Sequence, residues 1–264
     1  MPFVAGYCQN MGYRGGMTLS LTTDPQTLVK PSAAIRPVMR WRGRLGWLVL
    51  TPAVLAFAYS ALLTFKATRA FALQMADENY PVELLTFALL IAGGIYGLRL
   101  ALRARRQGAL PAWSIAFYVA FVAALVLIGM EEISWGQWFV HFQTPESIAR
   151  INTQQEFTLH NLKGLGGRTV WLRLAFGVGG FVGIALWFRP AFRAVAVPPK
   201  LWAWFAVITA FALGDLVTDF VGTETPLEAL FSVMSEIVEL LIAAAACLYL
   251  WFNSRQLLGA PSTP

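Results

Sequence analysis

Residues 112–138 read AWSIAFYVAFVAALVLIGMEEISWGQW. No charge and no turn signal interrupts the run from Ala112 to Met130, and about 20 consecutive apolar residues are what a helix needs to cross a bilayer. The pattern then passes without punctuation into Glu131, Glu132, Ile133, Ser134, Trp135, Gly136, Gln137 and Trp138. A helix carried through to Trp138 brings its two carboxylates close to a membrane boundary.

Five further apolar stretches have spanning length, roughly 46–65, 81–101, 170–188, 201–221 and 226–252. Of 264 residues, 57% are hydrophobic and 13% charged, too apolar a mixture for a soluble domain of that length. The expectation is an all-α polytopic membrane helix bundle of about six transmembrane helices over 43–253. A flexible N-terminal tail, 1–42, precedes it, and a short C-terminal tail, 254–264, follows. The N-terminal tail is rich in Gly, Pro, Ser and Thr and shows no signal-peptide pattern. Cys8 and Cys247 supply neither a CxxC metal site nor a disulfide framework. The net charge of +6 comes from basic residues scattered between apolar runs, so they act as topology determinants and nucleic acid is not an expected partner.

Arg14, Lys30, Arg36, Arg40, Arg42 and Arg44 precede the first span, and Arg99, Arg103, Arg105 and Arg106 lie between the second and third. Arg189, Arg193 and Lys200 separate the fourth from the fifth, and Arg255 follows the sixth. These are 14 of the 20 basic residues, leaving Lys66, Arg69, Arg150, Lys163, Arg168 and Arg173 for the opposite side. The bias puts both termini in the cytoplasm. Among the 14 acids only Asp24 falls on the cytoplasmic side. Acids contribute little to topology, so their asymmetry needs another cause.

Acids inside spans are costly and are paired, cavity-facing or functional. Asp215, Thr218 and Asp219 share one face of the fifth span, and Ser232, Glu236 and Glu239 share one face of the sixth, with Ser235 one turn before Glu239. Counted from Pro226, Glu236 lies roughly 15 Å and Glu239 roughly 20 Å along the helix, near mid-membrane. Glu131 and Glu132 are about 100° apart around the third span and need not share a partner.

The outer loop, 139–169, contains His141 and then Thr144-Pro145-Glu146, which suits a helix start with Thr144 as N-cap. A short amphipathic helix is expected there, with Ile148, Ile151, Phe157 and Leu159 on its apolar side, ending before Gly164, Gly166 and Gly167 and resting on the outer leaflet. Glu156 and His160 then stand at i, i+4, the spacing at which two side chains hold one ion or one proton. Plainer roles exist for each group. Glu131 and Glu132 suit an interfacial helix end beside Trp135 and Trp138. Asp219, Glu224 and Glu228 suit solvated span ends, Glu236 and Glu239 a buried link to Arg173 or to backbone, and His141 an interfacial position.

The string Met-Glu-Glu-Ile-Ser-Trp-Gly-Gln at 130–137, with Thr-Pro-Glu at 144–146, Asn152, Gln155-Glu156 and Leu-His-Asn-Leu at 159–162, resembles a signature of an uncharacterised family of bacterial multi-spanning membrane proteins. That resemblance implies a multi-pass bundle in a bacterial inner membrane and no particular activity. A fainter similarity is to alkaline ceramidase-like intramembrane hydrolases, which combine a carboxylate and tryptophan cluster with a Glu-Phe stretch and a closing Asn. It implies hydrolysis with a zinc ion held by several histidines, whereas this chain has His141 and His160 alone and no HxxxH pair.

The residues themselves point to a metal-dependent membrane enzyme acting on a lipid or lipid-linked substrate at the outer side. Glu131, Glu132, His160 and Glu236 are the catalytic candidates, and Glu132, Glu156, His160, Glu236 and Glu239 the metal ligands. Gln137, Asn152, Asn161, Asp215, Asp219 and Ser235 are supporting polar groups. Carboxylates crowded in low dielectric share protons or bind a cation, and this donor set suits Mn, Fe, Mg or Ca, with Zn as a further option. Glu131 or Glu132, His160 and Glu236 are accordingly expected in one pocket. Two other readings stay open: an ion- or proton-coupled transporter with the acids as a relay, and a non-catalytic subunit whose polar cluster orients helices.

Overall fold

The computed structural model describes residues 46–77, 80–164, 169–221 and 226–259, with the backbone alone for Trp138 and Pro226. All belong to one compact unit, Ile35–Pro264, and the other unit, Met1–Ala34, lies wholly outside them. The expected tail 1–42, Arg44, Glu78, Gly166, Gly167, Arg168 and Glu224 thus fall outside the described residues.

The chain is an all-α bundle. Its described helices are α1 (Gly46–Thr64), α2 (Lys66–Met75), α3 (Pro81–Arg106), α4 (Ala112–Glu132), α5 (Gln137–Val140), α6 (Glu146–Ala149), α7 (Thr169–Leu186), α8 (Trp202–Val221) and α9 (Pro226–Leu258). Six of these, α1, α3, α4, α7, α8 and α9, are long and apolar enough to cross a membrane, as expected of an integral membrane protein. Local chemistry sets their ends. α3 opens with Pro81 and Glu83 in its first turn and closes on Arg103, Arg105 and Arg106, an arrangement that complements the helix dipole at both termini.

α9 is the axis of the bundle, packed on α3 and α8, with α4 against α3, α7 against α8, and α1 against α8 and α9. Small residues permit these close approaches, as expected where lipid removes any hydrophobic drive between helices. At Gly97 of α3, a Cβ would lie 2.7 Å from Val122 Cγ2 and 3.1 Å from Leu250 Cδ1. At Gly180 of α7, a Cβ would overlap the Phe205 ring of α8. At 1.5 Å per residue α9 is about 50 Å long, against about 30 Å of hydrocarbon. Part of it therefore lies beyond the apolar layer, and the depth of Glu236 counted from Pro226 is an upper bound.

The structure departs from the sequence reading at four places. α4 stops at Glu132 instead of running to Trp138. The expected amphipathic helix shrinks to the four residues of α6, preceded by Pro145 with no side-chain cap from Thr144. An additional helix, α2, folds back on α1, where the Tyr59 hydroxyl donates to the Ala72 carbonyl at 2.6 Å. α9 also continues to Leu258, into the stretch assigned to the C-terminal tail.

The end of the bundle away from the acids has its own polar lacing. Tyr118 donates to Ala194 O at 2.7 Å, Tyr249 to Val195 O at 2.8 Å, and Asn253 to Ala196 O at 3.2 Å. These bonds satisfy carbonyls of the α7–α8 connection, which is buried at Ala194, Val195 and Ala196.

Candidate functional site

The break after α4 builds the first half of the site. Ser134, Trp135 and Gly136 take φ values of +48°, +55° and +83° in succession. Glycine adopts that region freely, but serine and tryptophan do so at a cost and must be held there. Two bonds hold them: Ser134 Oγ donates to Glu156 Oε2 at 2.7 Å, and Trp135 Nε1 donates to Glu131 Oε1 at 2.6 Å. The chain therefore turns back over the end of α4.

Glu131 organises the returning loop. Its Oε2 accepts from the backbone of Leu159 at 2.6 Å and of His160 at 3.2 Å, and lies 3.3 Å from His160 Nδ1. The Glu131 side chain is 12% exposed and that of His160 40%. Gln137 spans the same loop, donating to Thr144 Oγ1 and accepting from Phe157 N, both at 2.9 Å.

Asn152, 2% exposed, explains why the loop is not a long helix. Its Nδ2 donates to Thr158 O and Oγ1 at 3.0 Å, while its Oδ1 accepts from the backbone of Gln154 and Glu156. An asparagine that supplies local acceptors and donors competes with the helical ladder. Gln155 is left-handed at φ +59°, and Asn152 bridges Leu162 in antiparallel fashion. Asn161 donates to Gln154 Oε1. Glu156 and His160 consequently do not share a helical face: the first is bound to Ser134 and the second to Glu131. His141 is exposed and lines an open cavity of about 280 Å³ with Gln137, Phe142 and Glu156.

The second half lies among the spans. Arg173 of α7, 7% exposed, donates to Asp215 Oδ2 of α8 at 2.6 Å and to Glu239 Oε1 of α9 at 2.8 Å. Glu236 lies within reach of the charges of Glu239, Glu83 and Arg173, and Ser235 Oγ is 3.4 Å from its Oε1. Glu132 lies within reach of the charges of Glu239, Glu236, Glu83 and Glu131 and has no hydrogen bond among the described residues. Among these partly buried carboxylates Asp215 and Glu239 pair with Arg173, Glu236 lies in the field of that guanidinium, and Glu132 lies with Glu83 in the field of Glu236. Asp219, one turn beyond Asp215, is exposed.

The residues singled out in the sequence divide into two groups that meet at the neighbours Glu131 and Glu132. Glu132, Glu236, Glu239 and Asp215 belong to the acidic cluster between helices. Glu131, Glu156, His160, Gln137, Asn152 and Asn161 belong to the loop. Among the described residues no three His, Cys, Asp or Glu side chains stand together as a ready metal cage. Two contributors escaped the sequence reading. Glu83 sits in the first turn of α3, where its role as an N-terminal acid hides any other, and Ser134, whose bond to Glu156 closes the loop, is a small residue with no charge or spacing to mark it. Comparison of the chain with protein families, with curated proteins and with solved structures finds no match.

Proposed function

We propose that this membrane protein is a cation-dependent enzyme acting on a lipid or lipid-linked substrate, with its site at the outer side of a bacterial inner membrane and both termini in the cytoplasm. The observation that carries the reading is the surplus of acid: Glu132 and Glu236 lie in the fields of Glu239 and of one another, while the one arginine beside Glu236 is already committed to Asp215 and Glu239. Like charges at this depth need a counter-charge or shared protons.

In this reading Glu132 and Glu236 turn onto a divalent ion, and Arg173 keeps Glu239 in place beside them. Oxygen donors of this kind suit Mn, Fe, Mg or Ca, with Zn as a further option. The ion would polarise a phosphoryl or carbonyl oxygen and acidify a bound water. His160 is the proton carrier. Its Nδ1 is oriented by Glu131, and its Nε2 has no partner among the described residues. The loop that presents His160 lies over the end of α4 and offers exposed Phe139, Val140, Ile151 and Leu159 to the acyl region.

A relay through the membrane fits less well. Beyond Glu239, α9 reads Leu-Leu-Ile-Ala-Ala-Ala-Ala-Cys-Leu before the next strongly polar group at Tyr249, a gap of about 15 Å. A structural cluster is the second reading, favoured by Arg173, whose pairing with Asp215 and Glu239 already ties three helices together. Elemental analysis of the purified protein and of its Glu236→Gln variant separates the two. The enzyme reading expects a stoichiometric divalent metal that the variant loses. Metal-free protein whose melting ignores added Mn, Fe, Mg, Ca and Zn leaves the structural reading standing.

A further inference from the structure

At the end of the bundle remote from the acids, a cleft between α3 and α9 is lined by Tyr96, Arg99, Leu100, Arg103, Ser254 and Leu258. Arg99 and Arg103 are one helical turn apart and so present their guanidinium groups on one side of α3. Among the described residues neither guanidinium, nor the hydroxyls of Tyr96 and Ser254, has a hydrogen-bond or ion-pair partner. The cleft holds about 120 Å³, well above the roughly 10–15 Å³ needed to admit one water, so a small polar head group has room there.

Beside the arginines, Ile95, Leu98 and Leu102 form an exposed stripe at i, i+3 and i+7 of the same helix. Two unpaired guanidinium groups above an apolar stripe match a ligand with a phosphate head and a hydrocarbon tail. Arginine binds phosphate in a planar fork, and basic clefts between spanning helices recognise anionic headgroups. We propose that this cleft binds the phosphate of an anionic phospholipid, with Arg99 and Arg103 on the phosphate oxygens, Ser254 and Tyr96 donating from the walls, and an acyl chain along Ile95, Leu98 and Leu102. The stripe selects a lipid over free phosphate, which would leave it uncovered. The arginines that suggest a cytoplasmic placement for this end would then also hold a lipid of that leaflet.

The test is retention of phosphatidylglycerol against phosphatidylcholine by the full chain purified from mixed vesicles, read by native mass spectrometry. The double variant Arg99→Gln/Arg103→Gln should bind phosphatidylglycerol roughly thirtyfold more weakly, the loss expected for two direct hydrogen-bonded contacts to the phosphate. Arg105→Gln/Arg106→Gln removes the same charge from α3 outside the cleft and should leave binding unchanged. Ser254→Phe fills the cleft with both arginines intact and should also lose the lipid, which keeps the test decisive if the double variant does not fold. Equal retention of the two lipids by the native chain, equal loss in the two double variants, or complete displacement by millimolar inorganic phosphate would each overturn the proposal.

Discussion

Glu131 and Glu132 are adjacent in the chain, yet they belong to different polar networks. Glu131 accepts from Trp135, Leu159 and His160 in the loop, whereas Glu132 makes no hydrogen bond among the described residues and lies in the field of Glu83, Glu236 and Glu239. The offset of about 100° between successive residues on a helix accounts for the division. One residue fastens the loop, and the other joins the acidic cluster beneath it.

Substitution of the two should therefore differ in sign. Glu131→Ala strands the N–H groups of Trp135, Leu159 and His160 and should destabilise the loop by about 2 kcal/mol. With chelator present, so that no ion contributes, Glu132→Ala removes one of several like charges and should leave the melting temperature unchanged or higher. Limited proteolysis across 142–163, with thermal melting in detergent, reads both. Equal loss in the two variants would refute the division of roles.

Arg173→Met should be the most damaging single change in the bundle, because it leaves Asp215 and Glu239 buried without their cation. A cost of about 3–5 kcal/mol is expected for breaking one side of such a pair. Glu239→Gln, which keeps an acceptor for Arg173, should cost much less. Folded yield by size-exclusion chromatography compares them, and similar yields for the two variants would show that Arg173 is not the hub.

If the acidic cluster holds a divalent ion, chelation should lower the melting temperature, and the matching ion should restore it. Ion present at a hundredfold excess over its dissociation constant contributes about 2.7 kcal/mol. Glu236→Gln and Glu132→Gln should abolish the response while remaining folded. A response that survives both substitutions would locate the ion elsewhere.

Helix packing gives a prediction independent of function. Gly180→Val drives a side chain into the Phe205 ring and should cost about 1–3 kcal/mol, whereas Gly179→Val meets open space. Thermal melting of the two variants checks it. Comparable destabilisation of both would contradict the α7–α8 contact.

For orientation, single cysteines in a background lacking Cys8 and Cys247 should react with an impermeant reagent at 144–155 and stay protected at 102–107 in intact cells. Labelling at both sites from outside would reject the six-span arrangement. Labelling of 102–107 alone would reverse it.

The bundle was legible in the chain because six apolar runs of spanning length, separated by turn signals and arginines, have few other solutions in a bilayer. So was the concentration of acid toward one end, since a span binds its residues to a side. The helical length of the loop was misread. Thr144-Pro145-Glu146 is a sound helix start, but Asn152 sits where its side chain replaces several backbone bonds, and single-residue propensity does not register such competition.

Sequence alone determined the membrane class, the spans and the set of acids, because apolar length and charge act locally and add along the chain. The tertiary structure decided the partners. It gave Arg173 to both Asp215 and Glu239, tied His160 to Glu131 and away from Glu156, and brought Glu83 to Glu132 and Glu236. Those pairings depend on how each helix is rotated about its axis, which is set by contacts such as Gly97 against Val122 and Leu250, between segments distant in the chain.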